Sequence, residues 1–187
     1  MKPINNIAIF ASGTGSNALK IIEHTVLKNH IKLIVSNKTT AGVVDIANRF
    51  GIEVLIITKT KFEQDGFVEE LKAKQIDKIV LAGFLWKIPL PLVNAYPNSI
   101  INIHPALLPK FGGKGMYGHF VHEAVLKSNE KETGITIHYV DEIYDHGQII
   151  LQANCFVSEK DDVTTITKKV QVLEHKHFAK TIALLWT

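Results

Sequence analysis

Asn102 and His104 stand two positions apart in the apolar stretch 99–104. If that stretch is a strand, both side chains leave the same face, roughly 7 Å apart along the chain. Moving an acyl group onto an amine needs a donor that stabilises the developing oxyanion and a group that handles the proton lost by the attacking nitrogen. A carboxamide supplies the first and an imidazole the second. Pro105 then ends the strand and leaves the pair at its carboxyl end, where open α/β sheets bind their ligands. A histidine at a strand end is more often structural than catalytic, so the spacing suggests this chemistry without establishing it.

Asp145, in Asp145-His146-Gly147, sits in a short connection where a carboxylate would face the same pocket. Beside His104 it would raise the imidazole pKa by favouring the imidazolium, and it would relay a proton through water. The same residue also reads as the start of a turn ahead of Gly147, and on the residues alone that reading is the stronger. Ser12-Gly13-Thr14-Gly15-Ser16-Asn17 is the second constellation. Its glycines let the backbone turn sharply and approach a ligand, and the N–H groups that follow would face an anion. A ligand-free turn ranks below phosphate binding here, because two glycines and two hydroxyls coincide.

The segment lacks the Gly-Lys-Ser/Thr ending of a P-loop, which argues against triphosphate hydrolysis. It does fit the loose dinucleotide fingerprint, with Ala18 in the last place. A dinucleotide site usually has an acid at the end of the second strand, whereas here Ser36-Asn37-Lys38 stands there. NAD is disfavoured, and an NADP-dependent oxidoreductase stays open only through Lys38. His119 with His122, and His175 with His177, raise the question of a metal. No cysteine or HExxH pattern accompanies them, and His175-Lys176-His177 puts its rings on different sides of a helix, so no metal is expected.

The elements that must position these residues alternate. Residues 6–11, 32–36, 53–57, 78–82 and 99–104 read as strands, and 41–50, 62–74 and 89–96 as helices between them. Strands separated by helices predict βαβ units and a mostly parallel, twisted, Rossmann-like sheet with helices on both faces. Residues 133–140 and 148–157 are β-rich runs joined only by 141–147, which favours an antiparallel hairpin over a crossover. A glycine-rich loop, 111–118, precedes a helix at about 119–128, and a final helix starts near Thr164. The expected fold class is α/β, one domain over 1–187, with 1–100 as a phosphate-binding half and 101–187 as a catalytic half.

A chain of 187 residues with 46% hydrophobic content suits one continuous core. The net charge of +3 comes from scattered lysines, so no nucleic-acid partner is expected and anionic small molecules are favoured. Cys155 is the single cysteine; it reads as a packing residue in a reducing compartment. No apolar stretch is long enough for a bilayer helix, and no signal-like segment precedes the first strand, so the expectation is a cytoplasmic protein without membrane attachment.

The run Asn102-Ile103-His104-Pro105-Ala106-Leu107-Leu108-Pro109-Lys110, with Asp145-x-Gly147 further on, resembles the formyl-folate-dependent formyltransferase superfamily. Ser12-Gly13-Thr14-Gly15-Ser16-Asn17 with Leu81-Ala82-Gly83-Phe84 narrows the resemblance to the branch acting on phosphoribosylglycinamide, over nearly the whole chain. The resemblance implies transfer of the formyl group of 10-formyltetrahydrofolate to the glycinamide amine, in de novo purine biosynthesis, by a monomer or homodimer. It implies that Asn102 and His104 flank the formyl carbon and that Asp145 tunes His104. Gly15, Ser16 and Asn17 would hold the substrate phosphate and Glu174 its ribose. Leu85, Trp86, Lys87, Ile88, Val140 and Asp141 would line the folate pocket together with Asn102, and Gln64, in a place often held by arginine, would face the folate tail.

Many members carry Met-Arg-Ile-Leu where this chain has Leu85-Trp86-Lys87-Ile88, so the outer wall is expected to differ. The 111–118 loop is several residues longer than in many relatives, which suits either a mobile lid or a plain surface excursion. The nearest rival is a formyltetrahydrofolate hydrolase, whose members usually add an N-terminal regulatory domain; this chain starts directly at the first strand.

Overall fold

Strand β1, Ile7–Phe10, is buried at every position, as a strand with layers on both sides must be. Its alternation decides the architecture. Ile7 and Ile9 point into one apolar cluster, Ala8 and Phe10 into another on the opposite face. The structure, a computed structural model, describes residues 5–186.

In chain order β1 is followed by α1 (Ser16–Ile22), β2 (Ile31–Ser36), α2 (Gly42–Phe50), β3 (Glu53–Ile56), α3 (Lys59–Phe62) and α4 (Asp65–Ala73). Then come β4 (Lys78–Leu81), α5 (Leu90–Ala95), β5 (Ile100–His104), α6 (His119–Lys127), β6 (Glu132–Tyr139), β7 (Ile149–Phe156) and α7 (Val163–Trp186). The seven strands form one sheet in the order β3-β2-β1-β4-β5-β6-β7. The first five run parallel, and β6 and β7 are antiparallel additions at one edge. This is the single-domain α/β sheet that the alternation of strands and helices predicts.

The expected helix over 62–74 is two helices. Phe62 and Phe67 are each 1% exposed and enter the same aromatic cluster, with ring centroids 5.4 Å apart. Five residues apart on one continuous helix, they would point roughly 140° away from each other. The chain resolves this by ending α3 after Phe62 and passing through an extended Gln64 (φ −91°, ψ 146°) before α4 starts. The final helix starts one residue before Thr164, because Asp162 and Thr165 cap it reciprocally: each backbone N–H donates to the other's side-chain oxygen. Cys155, on β7, is partly buried and burial pushes its thiol up, as befits a packing residue.

Two devices place the catalytic candidates. Thr136 on β6 accepts from the Leu108 N–H (3.0 Å) and from Gln152 (2.9 Å) and donates to the Ala106 carbonyl (2.7 Å), which pins the segment after His104 to the sheet. At the β6–β7 connection, Gly147 lies directly against the Tyr139 carbonyl, which any Cβ there would strike. Gly147→Ala is therefore expected to cost about 2 kcal/mol and to lower the melting temperature by about 4–8 °C in a thermal melt. An unchanged melt would show that the hairpin end can yield.

Candidate active site

The carboxyl ends of β1, β4 and β5 open into a cavity of about 680 Å³, a volume suited to two small substrates side by side. Gly15, Ser16 and Asn17 line one part, with Glu174 of α7 beside them. Leu85, Trp86, Lys87, Ile88, Val140 and Asp141 also line the cavity, and so do Asn102, His104 and Asp145. The cavity thus draws on residues from either side of position 100.

Gln64 is the exception among the expected site residues. The break between α3 and α4 leaves it exposed, outside the cavity lining. Lys38, the remaining support for an NADP site, is also outside that lining; it closes a local turn through Ser36.

At the anion end, α7 is tied to the glycine loop. Asn17 Nδ2 donates to Glu174 Oε2 at 2.9 Å and Gln171 reaches Ser16 Oγ at 3.3 Å. Burial pushes the Glu174 carboxyl above its usual range, against the pull of Asn17. Asn17 Oδ1 is sealed from solvent with no hydrogen-bond partner among the described residues. Gly15 has φ +79°, and a Cβ there would meet Val43 of α2 at 2.9 Å, so both conformation and packing demand glycine. Ser12 joins this loop to the other end by accepting the Leu85 N–H at 3.2 Å. There the Trp86 ring packs 5.7 Å from Phe62 and 6.0 Å from Phe84, which fixes it as a wall.

Asp145 is the meeting point of the centre. Its Oδ2 accepts the Gly113 N–H at 2.9 Å and lies 3.5 Å from His104 Nδ1, and its Oδ1 lies 3.5 Å from Asn102 Nδ2. Burial alone would raise this carboxyl, but its contacts with the His138 and His104 rings and with the Gly113 N–H hold it below the usual carboxylate range. It is a resident anion.

His138 was not legible in the sequence. It stands directly across the β5–β6 ladder from Asn102, a relation that only strand pairing creates. Its Nδ1 hydrogen goes to the Tyr139 carbonyl (2.8 Å), so its Nε2 lone pair accepts one amide hydrogen of Asn102 at 3.1 Å. The second amide hydrogen of Asn102 faces Asp145 at 3.5 Å, the limit of a hydrogen bond, and is loosely held.

His104 departs from expectation. It is 3% exposed, and burial holds its pKa below the ordinary imidazole range, outweighing the upward pull of Asp145 and of the Phe111 carbonyl. Its Nε2–H donates to that carbonyl at 2.8 Å. The residue is a neutral ring clasped by the 111–118 loop, not the resting imidazolium that a neighbouring carboxylate suggests.

The formyl transferase family model matches residues 5–182. The chain belongs to the formyl transferase family. It is 36% identical to phosphoribosylglycinamide formyltransferase of Bacillus subtilis (strain 168), over 97% of this chain and 95% of that protein. It is 42% identical to the chloroplastic phosphoribosylglycinamide formyltransferase of Arabidopsis thaliana, over 96% of this chain. The chain spans 64% of that protein's length and 60% of the Vigna unguiculata relative's. The crystal structure of phosphoribosylglycinamide formyltransferase from Bacillus halodurans superposes with a TM-score of 0.87 at 37% identity, covering 97% of this chain and 95% of that one. Among its described residues the chain has no helix long and apolar enough to cross a membrane.

The buried neutral His104 makes a stability prediction. Its folded pKa lies below its unfolded value of about 6.5. As pH falls through that value the unfolded chain takes up a proton before the folded one does, so stability is lost on acidification and retained above it. Melting temperatures of wild type and His104→Asn measured from pH 8 to 5 should converge as pH drops. Parallel curves would show that His104 is not buried in its neutral form.

Proposed function

We propose that this chain transfers the formyl group of 10-formyltetrahydrofolate to the amine of 5-phosphoribosylglycinamide, giving the N-formyl product and tetrahydrofolate in de novo purine (IMP) biosynthesis. One observation carries the reading: Asn102, His104 and Asp145 share a single cavity with a glycine loop and an apolar, aromatic wall. The two lining regions suit two unlike ligands, and the reactive groups stand where both would reach. Gly15, Ser16 and Asn17 hold the substrate phosphate through backbone N–H groups and short side chains, and Glu174 takes the ribose hydroxyls. Leu85, Trp86, Ile88 and Val140 enclose the pterin, with Lys87 and Asp141 at its polar edge.

In the reaction the amine lone pair forms a bond to the formyl carbon and the carbonyl pair moves onto oxygen. The oxyanion takes the loosely held second amide hydrogen of Asn102 and the Nε2–H of His104, which the Phe111 carbonyl gives up as substrate enters. Asp145, 3.5 Å from the opposite ring nitrogen, tunes His104 by favouring its charged form. The amine nitrogen loses a proton to a base in the cavity, and the folate nitrogen is protonated as its bond to carbon breaks. Hydrogen-bond donors supply the charge stabilisation, and no metal takes part in this scheme. The whole chain, 1–187, works as one catalytic domain, in the cytoplasm.

The test is an assay of tetrahydrofolate release with and without the glycinamide. Release that depends on the amine and yields formylated product supports transfer; equal release of formate without it would replace transfer by hydrolysis. His104→Ala is expected to lower kcat at least about a hundredfold while binding of the phosphorylated substrate persists; near-normal turnover removes His104 from the chemistry. For Asp145→Asn the expectation is a slower rate together with a displaced pH optimum, seen in the kcat–pH profile. Full activity with an unmoved profile would separate Asp145 from His104.

A further inference from the structure

Helix α6 buries three side chains, Val121, His122 and Val125, and one of these three is polar. His122 is 4% exposed and lines the same cavity as Asn102, His104 and Asp145. Its Nδ1 is sealed from solvent without a partner, and among the described residues neither ring nitrogen makes a hydrogen bond. The sealed Nδ1 is out of a ligand's reach; Nε2, which is not sealed and makes no hydrogen bond among the described residues, is the nitrogen that a ligand in the cavity can meet.

The contrast with His104 is instructive. Both nitrogens of His104 already face protein oxygens, the Phe111 carbonyl and Asp145, and it must surrender a contact to meet substrate. His122 has none to surrender. Burial, and then the neighbouring His104 and His119, hold its pKa below the ordinary imidazole range. It therefore meets the substrate as a neutral ring, one of whose nitrogens carries a lone pair.

We propose that His122 is the base that accepts the proton lost by the attacking amine, which leaves His104 to the oxyanion; the proposal rests on the formyl-transfer reading above. The amine donates a hydrogen bond to the open ring nitrogen, and its own lone pair forms the bond to the formyl carbon. The carbonyl pair moves onto oxygen. As the proton passes to the imidazole lone pair, the N–H bonding pair stays on the amine nitrogen. When the adduct collapses, the oxygen pair re-forms the carbonyl, the bond from carbon to the folate nitrogen breaks, and that nitrogen keeps the pair and takes up a proton from the imidazolium directly or through water. His122 ends neutral and ready for another cycle.

The experiment compares wild type with His122→Leu in the two-substrate assay and in a thermal melt. A merely structural histidine would show its loss in the melt. Here the melting temperature should hold or rise, because an unanswered polar ring is replaced by an apolar side chain, while kcat falls about a hundredfold and the KM for the formyl-folate stays within about twofold. Wild-type kcat in a folded His122→Leu protein overturns the proposal and leaves the formyl-transfer reading standing. If that variant does not fold, His122→Ala is assayed with imidazole in the buffer: recovery of rate supports proton acceptance, and no recovery overturns it. Failure of wild type to formylate the glycinamide at all overturns both readings together.

Discussion

One buried carboxylate organises the centre of this protein. Asp145 is surrounded by four residues from three places in the chain: Asn102 and His104 on β5, His138 on β6, and Gly113 in the loop that follows β5. Its backbone sits at φ +53°, a conformation that aspartate tolerates better than most residues, and Gly147 two positions on lets the hairpin connection press against Tyr139. A charge taken this far out of water is tolerable only while its partners stay in place. The strand pairing, the loop and the turn are therefore mutually required.

The same arrangement explains why His104 rests neutral. Desolvation acts on every buried ionisable ring, and here it prevails over one carboxylate 3.5 Å away and one carbonyl. The Phe111 carbonyl occupies the Nε2 hydrogen of His104, so in the proposed reaction the 111–118 loop would compete with a substrate oxygen for that donor. Positive φ at Phe111, Gly113, Gly115 and Gly118 marks this loop as built from unusual backbone. Its residues line the cavity, which couples the loop's conformation to the state of His104.

The ends of the cavity show how sheet alternation and aromatic packing shape a binding site far from the chemistry. Phe10, on the face of β1 opposite Ile7 and Ile9, seeds a cluster with Phe62, Phe67 and Phe84. Trp86 extends that cluster to the cavity wall. The need to bring Phe62 and Phe67 into one cluster breaks the helix at Gln64, which stands exposed outside the cavity lining.

The sequence by itself determined the α/β alternation, the glycine loop after β1, and the same-face relation of Asn102 and His104. Each follows from local rules: period-2 and period-3.6 apolar patterns, glycine's freedom at positive φ, and proline ending a strand. The motif runs also carried the family. Only the tertiary structure decided that Asp145 faces the pair, that His138 stands opposite Asn102, that His122 enters the cavity unpartnered, and that the helix over 62–74 is two. Those facts depend on strand register, on helix docking and on desolvation, which join residues tens of positions apart and leave no periodic trace along the chain.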